Sequence, residues 1–340
     1  MSIREAIDAL VSQRRDLAEA EAAATMREIL GGEATPAQLG AFLIALRLKG
    51  ETVDEIAGMA SIMREHALRV EVEGPLLDTC GTGGDERGTF NVSTAAAFVA
   101  AGAGVRIAKH GNRAMTSGCG SADVLEALGA KIDLTPQQVA ECIRRTGFGF
   151  MFAQVFHPAM KHAAGPRREI GVRTVFNILG PLTNPARAQH QLLGVARPDI
   201  APKIAAALKR LGGSHSLVVH GNDGVDELSI SGASSVHEIR DGRIREYTVA
   251  PKDAGLATAP SEAIRGGTPE ENAAILREVL RGAPGPVRDV VLLNAAAALV
   301  AADATSDLKE GARMASHAID SGVAMKKLEE WVEMTRSFDR

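Results

Sequence analysis

The sequence predicts an α/β protein with a small N-terminal helical domain and a larger α/β domain, in which a central, mostly parallel sheet is flanked by helices. Two observations indicate this. The segment before Leu76 carries helix caps and helical apolar spacing but no strand pattern. From Leu76 onward, short apolar runs alternate with helical stretches, an order typical of a parallel sheet covered on both faces. The chain has 340 residues, enough for two domains.

Four helices are predicted before Leu76. The first is recognised by its apolar spacing, and the other three begin at residues whose side chains can cap free N–H groups. They are Ser2–Val11, a helix from Asp16 to Gly31-Gly32, a helix from Thr35-Pro36 to about Gly50, and one opened by Thr52 with Glu55 as its capping-box partner.

The larger segment alternates strands with helices. Strands are expected at Leu76–Thr79, Val105–Lys109, Gly149–Phe152, Leu192–Ala196 and Ser216–His220, and a β-hairpin at Ser235–Val249 around Asp241-Gly242. Helices are expected at Thr94–Ala101, at Ala122–Leu128, from Thr135-Pro136 to Gly147, after Asp199, and from Thr268-Pro269. The run Val290–Ala302 is Ala-rich, is interrupted by Asn294 and is too short to cross a membrane, so it predicts a buried helix.

Composition and charge exclude several classes of protein. Apolar residues make up 45% of the chain and charged residues 24%, so a disordered chain is not expected. The net charge of −4 and the aromatic share of 3% argue against a nucleic-acid partner. Cys80, Cys119 and Cys142 are too widely spaced for a disulfide framework or a zinc knuckle. Without an apolar signal region or a membrane-spanning stretch, the sequence predicts a cytoplasmic protein with no membrane partner.

A glycine-rich loop, Asp78–Asp85, contains the end of the first predicted strand. Glycines let the backbone approach a ligand closely, and N–H groups at a helix start bind anions. Asn91, Ser93 and Thr94 add polar side chains at the start of the next helix. The alternative is a plain strand-to-helix turn capped by Ser93. The loop matches neither the Walker pattern nor GxGxxG.

A second loop, Lys109–Ser121, also lies between a strand and a helix, and it carries two cations, several hydroxyls and glycines. Loops at the carboxyl ends of neighbouring parallel strands face one crevice, where ligands bind. Together the two loops predict a phosphate-rich ligand held by backbone groups, Lys109 and Arg113. The alternative for these cations is an ordinary solvated surface.

Two further segments carry candidate functional groups. The carboxylates of Asp226 and Glu227 come soon after a predicted strand and are suited to Mg²⁺, although adjacent acids are also common on surfaces. Arg167 and Arg168 can hold a carboxylate through a guanidinium fork. Equally, they can pair with Glu169 or face water.

Over essentially its whole length, the chain resembles the anthranilate phosphoribosyltransferases, a family of the nucleoside phosphorylase-like transferases. Any one of the shared motifs alone is weak, but their common order makes the set specific. The motifs are DTCGTGGD, NVST, KHGNR, GSADVLEALG, FHPAMK, PRREIGVRTVFNILGPLTNP and DGVDELS. The resemblance implies transfer of the phosphoribosyl group of 5-phosphoribosyl 1-diphosphate (PRPP) to the amine of anthranilate. The products would be N-(5-phosphoribosyl)anthranilate and pyrophosphate, in tryptophan biosynthesis.

The resemblance also implies roles for individual residues. Ser93, Asp226 and Glu227 match ligands of two Mg²⁺ ions per subunit, and Gly81, Asn112 and Arg167 match anthranilate contacts. The positions that match PRPP contacts are Gly81, Gly84, Asp85, Thr89, Asn91, Val92, Ser93, Thr94, Lys109, His110, Gly111, Asn112, Arg113, Ala114, Met115, Thr116, Ser117 and Ser121.

The family's architecture implies how these residues are divided. Residues 1–72 and 163–188 would form the helical domain, which dimerises and supplies the anthranilate side of an interdomain cleft. Residues 73–162 and 189–340 would form the α/β domain that binds PRPP and Mg²⁺. We therefore expect a homodimer.

The sequence departs from the family pattern at Gly118-Cys119-Gly120, where relatives often carry Ser-x-Ser-Gly, so Cys119 is not assigned as a ligand. Catalysis should rest on orientation and charge stabilisation, because an aromatic amine is already neutral at pH 7. His110 is only a weak candidate for accepting the proton. The alternative functions are a pyrimidine nucleoside phosphorylase, which would not need the Asp226–Glu227 pair, and a non-catalytic relative that binds nucleic acid, which would need a basic face.

Overall fold

A computed structural model describes residues 1–85, 87–114 and 118–338 of the chain. The predicted N-terminal helices are confirmed. Ser2, Thr35 and Thr52 each cap a helix with a capping box, so local sequence sets these starts. The four helices are α1 Ile3–Val11, α2 Glu19–Gly31, α3 Pro36–Lys49 and α4 Val53–His66.

The predicted cap at Asp16 is wrong. Helix α2 begins after Ala18, whose N–H group donates to the Glu21 carboxylate (2.9 Å). The Asp16 carboxylate instead accepts from the Lys49 ammonium at the end of α3 (2.6 Å). A tertiary ion pair has therefore replaced the local cap.

Seven strands form one sheet within the described residues, in the order β3-β2-β1-β4-β5-β6-β7. The first five strands in the chain are mutually parallel, and β6 and β7 are antiparallel, which confirms the predicted fold class. The strands are β1 Leu77–Gly81, β2 Ile107–Gly111, β3 Phe148–Phe152, β4 His190–Gly194, β5 His215–Gly221, β6 Ser234–Arg240 and β7 Arg243–Val249.

The predicted hairpin is confirmed as β6 and β7. Its two-residue turn, Asp241-Gly242, has positive φ at both residues (50° and 69°). This is the conformation that matches the twist of two antiparallel strands and that Asp-Gly favours.

The remaining helices cover the sheet. Thr135 and Thr268 cap α7 and α12 as predicted. Helices α8 to α10 were not predicted, since they are short or, like α9, contain a proline (Pro166). The helices are α5 Val92–Gly102, α6 Ser121–Ala127, α7 Pro136–Thr146, α8 Ala153–Phe156, α9 Lys161–Ile170, α10 Phe176–Leu179, α11 Ala201–Arg210, α12 Pro269–Leu280, α13 Pro286–Ala301, α14 Leu308–Asp320 and α15 Val323–Ser337. Short 3₁₀ turns lie at Pro158–Met160, Gly180–Leu182, Pro251–Ala254 and Ser261–Ile264.

Two hydrophobic cores lie on either side of the sheet. One is centred on α5 and α13, whose alanines are almost fully buried and allow close packing. The other joins the N-terminal helices to α10, α11 and residues of β4 and β5. The predicted buried helix in Val290–Ala302 is confirmed as most of α13. Among the described residues, no helix is both long enough and apolar enough to span a membrane.

Candidate active site

Four of the parallel strands end in glycine: β1 at Gly81, β2 at Gly111, β4 at Gly194 and β5 at Gly221. The acidic loop after β5, which contains Asp226 and Glu227, crosses the ends of β1 and β4. A Cβ on Gly81 would overlap the Asp226 carboxylate, and one on Gly194 would overlap the Asp226 carbonyl oxygen. The glycines therefore let the acidic loop lie directly over the carboxyl edge of the sheet.

The acidic loop forms hydrogen bonds with the glycine-rich loop and with the first turn of α5. Asp226 Oδ2 accepts from the Gly83 N–H group (2.7 Å), and Glu227 Oε1 accepts from the Ser93 N–H group in the first turn of α5 (3.0 Å). The structure thus brings together the glycine-rich loop and the three predicted metal ligands, Ser93 at the start of α5 and the two acids.

Burial and mutual repulsion disfavour the charged forms of these carboxylates. Removal from water, together with repulsion by Asp85, raises the pKa of Asp226 to about 6. Desolvation and the neighbouring Asp226 charge raise the pKa of Glu227 well above its ordinary value. Desolvation also raises the pKa of Asp85, whose Oδ2 has no hydrogen-bond partner among the described residues. Three clustered carboxylates that offer only oxygen donors suit a hard divalent cation such as Mg²⁺.

Lys109 is buried beneath this cluster. Its ammonium donates to the Thr79 carbonyl oxygen and lies 3.4 Å from Ser93 Oγ. Burial lowers the pKa of Lys109, although the nearby Asp78 charge acts in the opposite direction. Asp78, which is buried, has its pKa raised to about 6 by desolvation and accepts from the His110 N–H group (3.1 Å). Lys109 therefore places a buried ammonium group between the end of β1 and the start of α5.

In the second predicted loop, Arg113 and Asn112 bond to neighbouring residues and not to this cluster. Arg113 forms a salt bridge with Glu126 and another with Asp123 (3.2 Å), both on α6. Asn112 is exposed, and its side chain accepts from the Arg113 N–H group (2.8 Å). Met115, Thr116 and Ser117 lie outside the described residues.

The other predicted PRPP positions surround the two loops. Thr89 forms a β-bridge with Arg265, and Val92 and Thr94 are buried in α5. The Ala114 N–H group donates to Asp123 (2.9 Å). A Cβ on Gly111 would overlap Ser121 Oγ, and a Cβ on Gly84 would overlap Arg173.

The residue immediately before α5 is Asn91 and not Ser93. The alternative prediction, in which Ser93 caps this helix, is therefore wrong.

Two buried histidines face each other beside the site. The ring of His110, at the end of β2, lies 5.0 Å from the ring of His157, which follows α8. His110 Nδ1 is 3.2 Å from the Gly180 carbonyl oxygen. Neither Nε2 atom has a hydrogen-bond partner among the described residues. Desolvation lowers the pKa of His110 to about 3 and that of His157 to about 4, so both rings are neutral near pH 7.

Arg167 lies on α9, and its guanidinium carbon is 4.8 Å from the centre of the Phe176 ring. Desolvation lowers the pKa of Arg167, although a guanidinium stays charged in proteins. Arg168, the next residue, is exposed. The two arginines, which the sequence could not separate, thus lie in different environments.

Cys119 is not a reactive thiol. Its Sγ atom donates to Asn91 Oδ1 (3.4 Å). Desolvation raises its pKa to about 11, so the thiol stays protonated near neutral pH. The residue that replaces the family's usual hydroxyl therefore supports Asn91.

Sequence reasoning missed three residues that contact this site. His157 lies within the quoted FHPAMK motif but had no signal of its own. Asn272 of α12 donates to Asn91 Oδ1 (3.0 Å), and Arg173 donates to the Thr82 carbonyl oxygen (2.8 Å). Both contacts join distant parts of the chain, so neither spacing nor local pattern could have identified them.

Comparison with known proteins gives two family matches that together cover most of the chain. The profile of the glycosyl transferase family helical bundle domain matches residues 4–67, and that of the same family's a/b domain matches residues 73–325. The anthranilate phosphoribosyltransferase of Chloroflexus aurantiacus is 60% identical over 338 residues, 99% of each chain. That of Symbiobacterium thermophilum is 59% identical over 326 residues, 96% of each chain.

Solved structures give the same result. The anthranilate phosphoribosyltransferase of Thermus thermophilus superimposes with a TM-score of 0.91 at 49% identity, covering 98% of this chain and 99% of that one. The enzyme of Saccharomyces cerevisiae, solved in complex with PRPP and Mg, gives a TM-score of 0.92 at 31% identity, covering 98% of each chain.

Proposed function

The chain belongs to the anthranilate phosphoribosyltransferases of the glycosyl transferase family, and we propose that it carries out their reaction at the carboxyl edge of the sheet. The enzyme transfers the phosphoribosyl group of PRPP to the amine of anthranilate in tryptophan biosynthesis. One observation supports this location. Of the buried side-chain polar atoms without a partner among the described residues, all but Trp331 Nε1 lie at this edge: Asp85 Oδ2, Thr94 Oγ1, His110 Nε2, His157 Nε2 and Asp223 Oδ1.

The protein binds Mg²⁺, as the complex of the yeast relative supports. We propose two ions per subunit, with Asp226, Glu227 and Ser93 as the ligands that this chain supplies. The oxygen-only donor set and the raised pKa values of the two acids fit a divalent cation. When bound, Mg²⁺ neutralises the negative charge that develops on the diphosphate as its bond to the ribose breaks.

The residues of the chain hold PRPP by backbone and buried charge. The N–H groups of Gly83 and Ser93, now bonded to the acids, lie at a glycine turn and a helix start, where anions bind. Lys109 places a buried positive charge beneath them. In the reaction the bond between ribose C1 and the diphosphate oxygen breaks, a bond from C1 to the amine nitrogen forms, and the proton that the nitrogen then sheds passes to water or to a diphosphate oxygen. These groups stabilise the leaving diphosphate through electrostatic preorganisation.

Anthranilate is oriented by side chains next to this region. We assign its carboxylate to Arg167, with Asn112 and the Gly81 backbone as further contacts. The Nε2 atoms of His110 and His157 are unpartnered in the described structure and, in neutral rings, accept hydrogen bonds. Accepting from the amine N–H groups would direct the nitrogen lone pair toward C1. Because their pKa values are about 3 and about 4, the histidines are poor proton acceptors. Their role is to orient the amine.

The assembly follows from the same assignment. We propose a homodimer formed through the helical domain of residues 1–72 and 163–188, with residues 73–162 and 189–340 as the PRPP-binding domain. Two large apolar side chains on the packed helices α1 and α3 support this, since Val11 is 57% and Leu48 82% exposed. A reducing, cytoplasmic location accords with three free thiols, Cys80, Cys119 and Cys142.

Anthranilate fluorescence tests the function. Purified protein with PRPP and Mg²⁺ should deplete the anthranilate signal and release pyrophosphate, and omission of Mg²⁺ should stop both. Thymidine with inorganic phosphate is the matched control, and it should give no free thymine. Thymidine phosphorolysis without consumption of anthranilate would instead identify a pyrimidine nucleoside phosphorylase.

A further inference from the structure

Arg173 connects the helical side of the molecule to the glycine-rich loop. It lies between α9 and α10, and its backbone carbonyl oxygen accepts from the Arg47 guanidinium at the end of α3. Its own guanidinium donates to the Thr82 carbonyl oxygen (2.8 Å) and packs against Gly84. A Cβ at Gly84 would overlap that guanidinium, so the glycine leaves the space that Arg173 occupies.

The contact with Thr82 involves a particular peptide unit. The Thr82 carbonyl, which Arg173 binds, and the Gly83 N–H group, which donates to Asp226 (2.7 Å), belong to the same planar peptide. Arg173 and Asp226 therefore hold opposite sides of one peptide group. Gly83 and Gly84 both have positive φ (62° and 74°). Without such contacts, a turn of this kind could adopt other peptide orientations at little cost.

We infer that Arg173 is a positioning residue for PRPP. It fixes the orientation of the Thr82–Gly83 peptide, so that the Gly83 N–H group points at Asp226 and, in the complex, at the diphosphate. The inference rests on the proposed function, because it assumes that the glycine-rich loop receives the diphosphate. When the substrate replaces Asp226 as the acceptor for Gly83, the Arg173 contact keeps the peptide in place. The loop is thus organised before PRPP arrives, which lowers the cost of binding.

Steady-state kinetics of Arg173→Ala test this role. The KM for PRPP should rise by about tenfold or more, as expected for loss of a charge-assisted hydrogen bond, while the KM for anthranilate stays within about twofold. Arg173→Lys keeps the charge without the planar fork and should fall between wild type and Arg173→Ala. Arg168→Ala, an exposed arginine on the neighbouring helix, is the matched control and should leave both KM values unchanged.

Calorimetric titration with Mg²⁺ and PRPP separates this inference from the proposed function, because it needs no turnover. If wild type binds PRPP but consumes no anthranilate, the proposed reaction fails, and weakened binding in Arg173→Ala still supports the positioning role. Unchanged PRPP affinity in Arg173→Ala overturns that role, as does an equal rise in both KM values with a lowered melting temperature. A wild-type protein that binds no PRPP overturns both.

Discussion

One cluster of titratable side chains lies at the amino ends of strands β4 and β5, and another lies at their carboxyl ends. The two clusters differ in how well their groups are paired. At the amino ends, His215 lies between two carboxylates, with Nδ1 2.9 Å from Asp303 and Nε2 3.0 Å from Glu238. Arg240 pairs with the same Asp303 (3.1 Å), and His190 Nδ1 is 2.7 Å from the Ala301 carbonyl oxygen. Each of these titratable groups therefore has a partner within the protein.

At the carboxyl ends, the balance is different. Asp85, Asp226 and Glu227 form a group of like charges whose pKa values are raised, and five buried polar atoms at this edge have no partner within the described residues. Leaving such groups unpaired is costly in a folded protein unless a ligand completes them. The contrast supports the proposal that the carboxyl edge, and not the amino edge, receives the substrates and the cation.

The largest expected effect is at the carboxyl edge. Replacing the two acids together, Asp226→Asn with Glu227→Gln, should lower Mg²⁺-dependent turnover by at least about a thousandfold, because the variant loses the charge that binds the cation. The rate is measured from anthranilate fluorescence at saturating Mg²⁺. Full activity in this variant would place the cation elsewhere in the molecule.

The pH dependence of stability examines the same acids without turnover. Desolvation raises the pKa of Asp226 from 3.8 to about 6, so the folded state binds this proton more tightly than the unfolded state does. Its contribution to stability is complete below about pH 4 and is lost as the pH rises through about 6. In metal-free buffer, the free energy of unfolding of wild type should therefore fall more steeply between these pH values than that of Asp226→Asn. Denaturant titrations measure both slopes, and equal slopes would show that Asp226 is not in this environment.

Arg167 should have the next largest effect. Arg167→Ala removes the guanidinium assigned to the anthranilate carboxylate, so the KM for anthranilate should rise by roughly 10- to 100-fold, with much less change in the KM for PRPP. Steady-state kinetics with each substrate varied in turn give both values. Equal increases in the two KM values would remove the assigned role, and Arg168→Ala serves as the neighbouring control.

The histidine pair predicts a smaller effect and a flat pH profile. Because the pKa values of His110 and His157 are about 3 and about 4, neither ring changes charge between about pH 6 and pH 8. These two rings should therefore contribute no inflection to the wild-type kcat near the ordinary histidine pKa of about 6.5. His110→Ala should lower kcat by about tenfold, through loss of one orienting hydrogen bond. An inflection near pH 6.5 that disappears in His110→Ala would make His110 a general base instead.

The amino edge should give the smallest effect on catalysis. Asp303→Asn removes the carboxylate shared by His215 and Arg240, and because Asp303 is 44% exposed, its loss should cost only about 1 kcal/mol of stability. The melting temperature should fall by roughly 2 °C, while kcat and both KM values stay at the wild-type level. A loss of turnover comparable with that of the acid variant would remove the distinction between the two edges.

Much of the fold was predictable because its signals are local. Threonine caps at Thr35, Thr52, Thr135 and Thr268 set helix starts, and Asp241-Gly242 set the hairpin turn. Local signals failed where tertiary contacts intervene. Asp16 pairs with Lys49 instead of capping α2, so a residue suited to a cap is used for an ion pair between helices.

The candidate site was predictable in its motifs but not in its geometry. The sequence indicated the glycine-rich loop and the Asp226–Glu227 pair, yet nothing local shows that Asp226 lies over Gly81 and Gly194. Arg113 is a residue type that often binds phosphate, but in the structure it forms a salt bridge with Glu126. His157 and Arg173 gain their positions only from the packing of α8 to α10, which the sequence pattern did not reveal.

Crystals soaked with PRPP and Mn²⁺, a Mg²⁺ substitute with a strong anomalous signal, test the difference between the two edges most directly. We expect anomalous peaks beside Asp226 and Glu227, with the diphosphate replacing Asp226 as the acceptor of the Gly83 N–H group. We expect none at the amino edge, where His190, His215 and Asp303 already have partners within the protein. A peak at those three residues, with none at the carboxyl edge, would contradict this expectation.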